Sequence, residues 1–311
     1  MTDARDLESP PLVDAAWLRD HLTGTVILDA SIERTEDDHG RGRFGPGRAA
    51  FLSSRIPGAR LADLFGQFSD PDAEFAFTRP PVPHLRAAAQ AVGVHDDARV
   101  VVYDRNGGAW AARVWWLLRI HGFRRASVLD GGLSAWEAAG SPLETGVPAA
   151  TEPASRPLTL SEPAPNSVTA DLREIESIAR GEHPGLLVCG VRQSEFEGDP
   201  SAPGSGHIPG SASLPYRELS DARGSIDVHL VRSRATALGL DRADTAPVVY
   251  CGGGINAAGL VLALAAAGLP EPRLYDGSLT EWRADPARPL ETGPGVGSRG
   301  KVAREDESVD G

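Results

Sequence analysis

Apolar positions in this chain fall into short blocks separated by helix-length stretches of mixed polarity. Val26-Ile27-Leu28-Asp29 and Val100-Val101-Val102-Tyr103 are near-continuous apolar runs, the pattern of strands buried on both faces. Around them, apolar residues recur at helical spacing over 15–22, 84–92 and 109–120, and a short strand follows at 126–129. The second half repeats the alternation, with strands predicted at 186–189, 247–250 and 273–275 and helices at 169–180, 230–238 and 256–267. Strands alternating with helices predict an α/β fold, a parallel sheet covered by helices on both faces. Functional loops in such folds gather at the carboxyl ends of the strands.

The chain is written twice. Val101-Val102-Tyr103-Asp104 matches Val248-Val249-Tyr250-Cys251 at a separation of 147 residues. Leu129-Asp130-Gly131-Gly132-Leu133-Ser134-Ala135-Trp136 pairs with Tyr275-Asp276-Gly277-Ser278-Leu279-Thr280-Glu281-Trp282. Leu143-Glu144-Thr145-Gly146 answers Leu290-Glu291-Thr292-Gly293, and Arg55-Ile56-Pro57-Gly58 answers His207-Ile208-Pro209-Gly210. These anchors keep one order, so a single domain is duplicated, over 12–146 and 167–293. Residues 147–166 are rich in Pro, Ala and Ser, as a semi-rigid linker is. The polar tail at 294–311 is expected to be disordered.

Composition narrows the setting. A chain of 311 residues, 41% hydrophobic and 24% charged, is an ordinary soluble protein with room for two domains. No apolar run is long enough to cross a bilayer, and the polar N-terminus lacks the core of a signal peptide. Two cysteines make no disulfide framework, which points to a reducing cytoplasm. A formal charge of −12 argues against a nucleic-acid partner and leaves any anionic substrate to be captured by a local field.

The candidate chemistry lies in Tyr250-Cys251-Gly252-Gly253-Gly254-Ile255-Asn256-Ala257, a strand end, a thiol, three glycines and a helix start. Backbone N–H groups converge at such a junction and the helix dipole is positive there, so the thiol is expected to have a lowered pKa. A lone cysteine after a strand is commonly a small buried hydrophobe. Three consecutive glycines tilt the reading toward function, because they let the backbone curl around the sulfur. The equivalent position in the first half is Asp104.

With the repeat, His207-Ile208-Pro209-Gly210, the Cys251–Asn256 loop and Asp276-Gly277-Ser278 with Trp282 in hand, the chain resembles tandem-domain rhodaneses, the thiosulfate and 3-mercaptopyruvate sulfurtransferases. The resemblance covers roughly 12–293 and implies two rhodanese-like domains, the first catalytically silent. It implies that Cys251 accepts a sulfane sulfur as a persulfide and passes it to a thiol, cyanide or protein-thiol acceptor. Gly252, Gly253, Gly254, Ile255, Asn256 and Ala257 would hold the charged sulfur, with no metal or organic cofactor. A persulfide carrier or regulatory binding module without turnover is the alternative.

Several positions depart from the family pattern. Thiosulfate-type loops carry basic residues where this chain has Gly252 and Gly253, and the loop is closer to the mercaptopyruvate-type Cys-Gly-Ser-Gly-Val-Thr. Acids at Glu195, Glu197 and Asp199 stand where substrate-binding arginines are expected, leaving Arg192 as the nearest base. Asn256 can offer its amide N–H₂ to the sulfur or cap the helix. Cys189 replaces an expected Asp and is either a resolving thiol or a buried hydrophobe. Arg105 is a candidate source of positive charge over Cys251, or an exposed loop residue. His207 is expected to order the Ile-Pro-Gly turn, Trp115 and Trp116 to lie in the core, and the basic run from Arg41 to Arg48 to be a solvated loop. A Cys-x₅-Arg phosphatase is excluded because the arginine position is Ala257, and no Lys-Ser/Thr pair completes a P-loop.

Overall fold

The computed structural model describes residues 8–36, 42–149, 156–221, 224–242 and 247–296. The chain divides into two compact units, Met1–Pro165 with Ser220–Asp227, and Asn166–Leu219 with Val228–Gly311.

The first unit runs β1 (Leu12–Val13), α1 (Ala15–Asp20), β2 (Thr25–Asp29), β3 (Ile32–Glu36), β4 (Gly42–Pro46), α2 (Arg48–Ser53), β5 (Arg60–Leu61), α3 (Val82–Ala91), β6 (Arg99–Tyr103), α4 (Ala109–Ile120), β7 (Ala126–Leu129) and α5 (Gly132–Ala138). Five strands form one parallel sheet in the order β1-β7-β6-β2-β5. Val100, Val101, Val102 and Tyr103 are wholly buried at its centre, as their unbroken apolar run requires. The core extends through Trp115, Trp116 and Trp136, all sealed from solvent.

The second unit runs β8 (Thr169–Ala170), α6 (Leu172–Ala179), β9 (Leu187–Cys189), α7 (Gln193–Glu197), β10 (Ala212–Ser213), a 3₁₀ turn (Tyr216–Glu218), α8 (Val228–Ala237), β11 (Val248–Tyr250), α9 (Ile255–Ala266), β12 (Arg273–Tyr275) and α10 (Ser278–Ala284). Its parallel sheet has the order β8-β12-β11-β9-β10, the order of the first sheet with each strand replaced by its repeat partner. Each unit's first helix starts from an aspartate: Asp14 accepts the Trp17 N–H at 2.7 Å and Asp171 the Glu174 N–H at 2.9 Å.

The Ile-Pro-Gly turns are also built alike. Arg55 and Glu144 exchange backbone hydrogen bonds, as do His207 and Glu291. The buried Arg55 guanidinium reaches Glu144 at 2.6 Å and the Gly146 carbonyl at 2.5 Å. His207 hydrogen-bonds the Phe196 carbonyl at 2.7 Å and stacks on the Phe196 ring at 3.7 Å. These contacts fasten the residue before the Ile-Pro-Gly turn to α7 and to Glu291.

Three expectations are corrected. The basic run is not a loop: Gly42–Pro46 is a strand paired antiparallel with Ile32–Glu36, and Arg48 opens α2, while Arg41 lies outside the described residues. The segment after 155 is not a free linker. Leu158 and Leu160 are buried, and Arg86 binds both of their carbonyls, so this stretch is fastened to the first unit. The helix predicted from 169 starts at Leu172, because Thr169–Ala170 pairs with β12 as an edge strand. Of the tail, 297–311 lies outside the described residues. Among the described residues no helix is long and apolar enough to cross a membrane.

Candidate active site

β11 delivers Cys251 at the carboxyl edge of the second sheet, and α9 begins four residues later. Gly254 makes the junction possible: it caps α9 at φ 81°, a left-handed conformation that costs a glycine nothing. The Cys251 thiol is 2% exposed, and the backbone N–H groups of Gly253, Gly254, Asn256 and Ala257 lie near enough to favour its charged form. Four of the six residues in the Gly252–Ala257 loop thus turn main-chain N–H groups toward the sulfur at a helix start, a cradle that favours negative charge.

The first unit contains the same cradle, closed on its own side chain. Asp104 follows β6 as Cys251 follows β11, and Gly108 caps α4 at φ 85°. Asp104 Oδ1 accepts the N–H of Asn106 at 2.7 Å and of Gly108 at 2.9 Å, and Oδ2 accepts that of Ala111 at 2.9 Å. Gly108 and Ala111 are the repeat partners of Gly254 and Ala257, so two of the donors that hold the carboxylate have counterparts holding the thiol. The second loop is one residue shorter, which brings a single sulfur into a space that a carboxylate fills in the first. In the first unit this loop design holds a carboxylate on main-chain N–H groups.

The expected lowering of the Cys251 pKa is corrected. Burial pushes the thiol above its ordinary value, and the four N–H groups pull against that shift without reversing it. The spacing showed the N–H groups; it did not show that the sulfur is removed from water. The largest contributions to the shift come from burial and main-chain N–H groups.

Other predicted residues divide clearly. Asn256 does not cap the helix, since Gly254 does, and its backbone N–H is what meets the sulfur. Arg105 is engaged inside the first unit: it donates to Ser54 Oγ at 3.2 Å, to the Ala50 carbonyl at 3.3 Å and to the Ser54 carbonyl. It closes the last turn of α2 and is half-buried, so the structure gives it partners that neither of its two readings named. Arg192 is exposed at the start of α7, on the loop leaving β9, with no ion pair to another described residue. Cys189 pairs in register with Tyr250 and is fully buried, and burial pushes its thiol up to about 12. Its repeat partner Asp29 occupies the same register opposite Tyr103. Its burial and raised pKa favour the neutral form of the Cys189 thiol.

Sequence reasoning missed Ser278 and Thr280. The Cys251 N–H donates to Ser278 Oγ at 3.1 Å, and the Leu279 N–H donates to the Cys251 carbonyl at 3.0 Å. Thr280 gives both its N–H (2.9 Å) and its hydroxyl (2.8 Å) to the Gly252 carbonyl. The signal available was the change from Gly132 to Ser278 within an otherwise matched repeat. A cavity of about 640 Å³ in the second unit is lined by Pro200, Ser205, Arg283 and Arg288 among others, and Cys251 does not line it. Arg283 there binds the Gly206 carbonyl and Arg288 binds Glu176, so neither is a free anion donor.

The chain matches the rhodanese-like domain model twice, over 14–139 and 191–285. It is 37% identical over 255 residues to the "Probable 3-mercaptopyruvate sulfurtransferase" of Pseudomonas aeruginosa, covering 79% of this chain and 87% of that protein. It is 30% identical over 305 residues to the thiosulfate sulfurtransferase of Bos taurus, covering 91% of this chain and 96% of that protein. The crystal structure of a 3-mercaptopyruvate sulfurtransferase from Escherichia coli superposes with a TM-score of 0.71 at 26% identity, covering 87% of this chain and 99% of the other.

Proposed function

The chain belongs to the rhodanese family and is a sulfurtransferase, and on that footing we propose that Cys251 carries the transferred sulfur as a persulfide. One observation carries this reading: the Cys251 sulfur sits in four main-chain N–H groups, in a loop whose silent copy closes on a carboxylate.

The Cys251 thiolate attacks the outer sulfur of the donor. With thiosulfate the S–S bond breaks and sulfite leaves with the electron pair; with 3-mercaptopyruvate the C–S bond breaks and pyruvate leaves after protonation at carbon. Either way the enzyme keeps Cys251–S–S⁻, whose charge lies on the terminal sulfur. Donors preorganised in the cradle stabilise that charge without solvent reorganisation. An acceptor then attacks the terminal sulfur and the Cys251 thiolate departs: cyanide gives thiocyanate, and a thiol gives its own persulfide. Splitting the transfer around a covalent intermediate produces ping-pong kinetics.

The donor is recognised outside the loop. Gly252 and Gly253 offer only N–H groups, whereas Arg192 is exposed and unpaired among the described residues, so it is the group we assign to a donor's carboxylate. The loop's likeness to the mercaptopyruvate type and this arginine together favour 3-mercaptopyruvate over thiosulfate.

The test is turnover of both donors by wild type and Cys251→Ser. Sulfide or thiocyanate release that is lost in Cys251→Ser is the expected result. A retained rate in that variant would refute the persulfide assignment. Wild type that takes up sulfur on Cys251 yet turns over neither donor would favour the carrier reading.

A further inference from the structure

Ser278 is one of three residues other than glycine with a positive φ among the described residues, at 51°. It is fully buried at the first position of α10. A side chain in the left-handed region costs free energy that a glycine would avoid. The first unit has that glycine: Gly132 holds φ 56° at the equivalent position. A Cβ added there would lie 2.3 Å from the Asp104 carbonyl oxygen, so the silent copy admits no side chain at all. The second unit carries a side chain in the strained position and uses it.

The use is specific. Ser278 Oγ accepts the Cys251 N–H at 3.1 Å and donates its own proton to the Tyr275 carbonyl at 2.9 Å. The hydroxyl therefore ties the first residue of the loop to the end of β12. Leu279 and Thr280 complete the grip on the Cys251 and Gly252 carbonyls. Three consecutive glycines follow Cys251, and glycine has more backbone freedom to lose than any other residue. Left alone, such a loop would let the sulfur leave the convergence of N–H groups.

We propose that Ser278 is a positioning residue for sulfur transfer, fixing the Cys251 backbone so that its sulfur stays in the cradle. This deepens the assignment of Cys251 as the sulfur carrier and rests on it. Ser278 does not touch the donor. It acts through the Cys251 N–H, and its backbone strain is the cost of placing a hydroxyl there.

Ser278→Gly separates positioning from support, because it removes the strain together with the hydroxyl. The variant should melt within a few degrees of wild type, yet kcat for sulfur release should fall about ten- to a hundredfold with KM little changed. Its rate of Cys251 alkylation should shift to higher pH, since looser N–H groups favour the thiolate less. Ser278→Ala, which keeps the strain and loses the hydroxyl, should show the same kcat loss and a lower melting temperature. Wild-type kcat and an unshifted alkylation profile in folded Ser278→Gly would overturn the proposal, as would a loss confined to melting temperature in both variants. Cys251→Ser, assayed in parallel, keeps the two assignments apart. If Cys251→Ser is inactive and Ser278→Gly is wild-type, only the positioning role fails; if Cys251→Ser is active, the carrier assignment fails first.

Discussion

Replacing Asp104 measures how strongly this loop design holds a negative charge. Three main-chain N–H groups, those of Asn106, Gly108 and Ala111, donate to the carboxylate at 2.7 to 2.9 Å. Hydrogen bonds to a charged acceptor contribute about 1.5–3 kcal/mol each. Asp104→Ala removes all three acceptors, and water entering the vacated cradle restores part of the loss, so the first unit should lose roughly 3–6 kcal/mol. Asp104→Asn keeps the shape but turns an N–H₂ toward at least one donor and removes the charge from the others. Its expected loss is roughly 2–4 kcal/mol. In melting temperature each kcal/mol corresponds to about 2–4 °C for a unit of this size. Tryptophan fluorescence during urea denaturation reads the effect directly, because Trp17, Trp110, Trp115, Trp116 and Trp136 lie in the first unit and only Trp282 lies in the second. A loss below about 1 kcal/mol in Asp104→Ala would mean that the carboxylate is incidental to the loop. The Cys251 loop would then lose its standing as the thiol-bearing counterpart of a charge-holding loop.

Alkylation of Cys251 by iodoacetamide in the substrate-free protein should accelerate with pH and still be rising at pH 9.0, because burial holds the thiol above that value; a plateau at neutral pH would refute the raised pKa. Cys189, held up at about 12, favours its neutral form in the folded state, so its contribution to stability is full below pH 9.0 and is lost as pH rises through about 12. Denaturation across the alkaline range should therefore fall more steeply for wild type than for Cys189→Ala, and parallel curves would count against it. Peroxide at a pH where Cys251 reacts should leave Cys189 unmodified, since the Cys189 thiol is pushed up to about 12 and stays protonated there; a Cys189–Cys251 disulfide in peptide maps would restore the resolving role. The Glu144 carboxyl is held below 4.5 by the Gly58 N–H and then by Arg55, so its contribution is present above pH 4.5 and lost as pH falls through the folded value. Glu144→Gln should flatten the acid limb of the stability curve, and an unchanged limb would show the pair to be inert.

What the sequence made legible is what repeats or what is continuous. The helices 109–120 and 255–266 and the strands β6, β7, β11 and β12 stand out because their apolar runs are long or duplicated. Two-residue edge strands such as Leu12–Val13 and Ala212–Ser213 carry no period and are made by their neighbours in the sheet. The hairpin of β3 and β4 was hidden by arginines and glycines that imitate a loop. At the site, Cys251 and its glycines were visible as a local string, whereas the burial of the sulfur depends on packing from the rest of the unit. Ser278 was visible only as a departure from Gly132, and its hydroxyl acquires meaning once β12 sets it beside Cys251.

If Cys251 carries the sulfur as proposed, the duplication puts one loop design to two uses. Asp104 fills its own loop and accepts hydrogen bonds from three of its N–H groups. Cys251 leaves a neutral, buried thiol under donors arranged for a charge that it does not carry at rest. The cradle is therefore better matched to the thiolate and the persulfide than to the resting thiol, which is the direction catalysis requires. A loop arginine or lysine would favour the resting thiolate as well and narrow that difference. With glycines at 252 and 253, the loop itself offers a donor main-chain dipoles and no side-chain charge, and on the proposed function selection among anionic donors falls to residues beyond it.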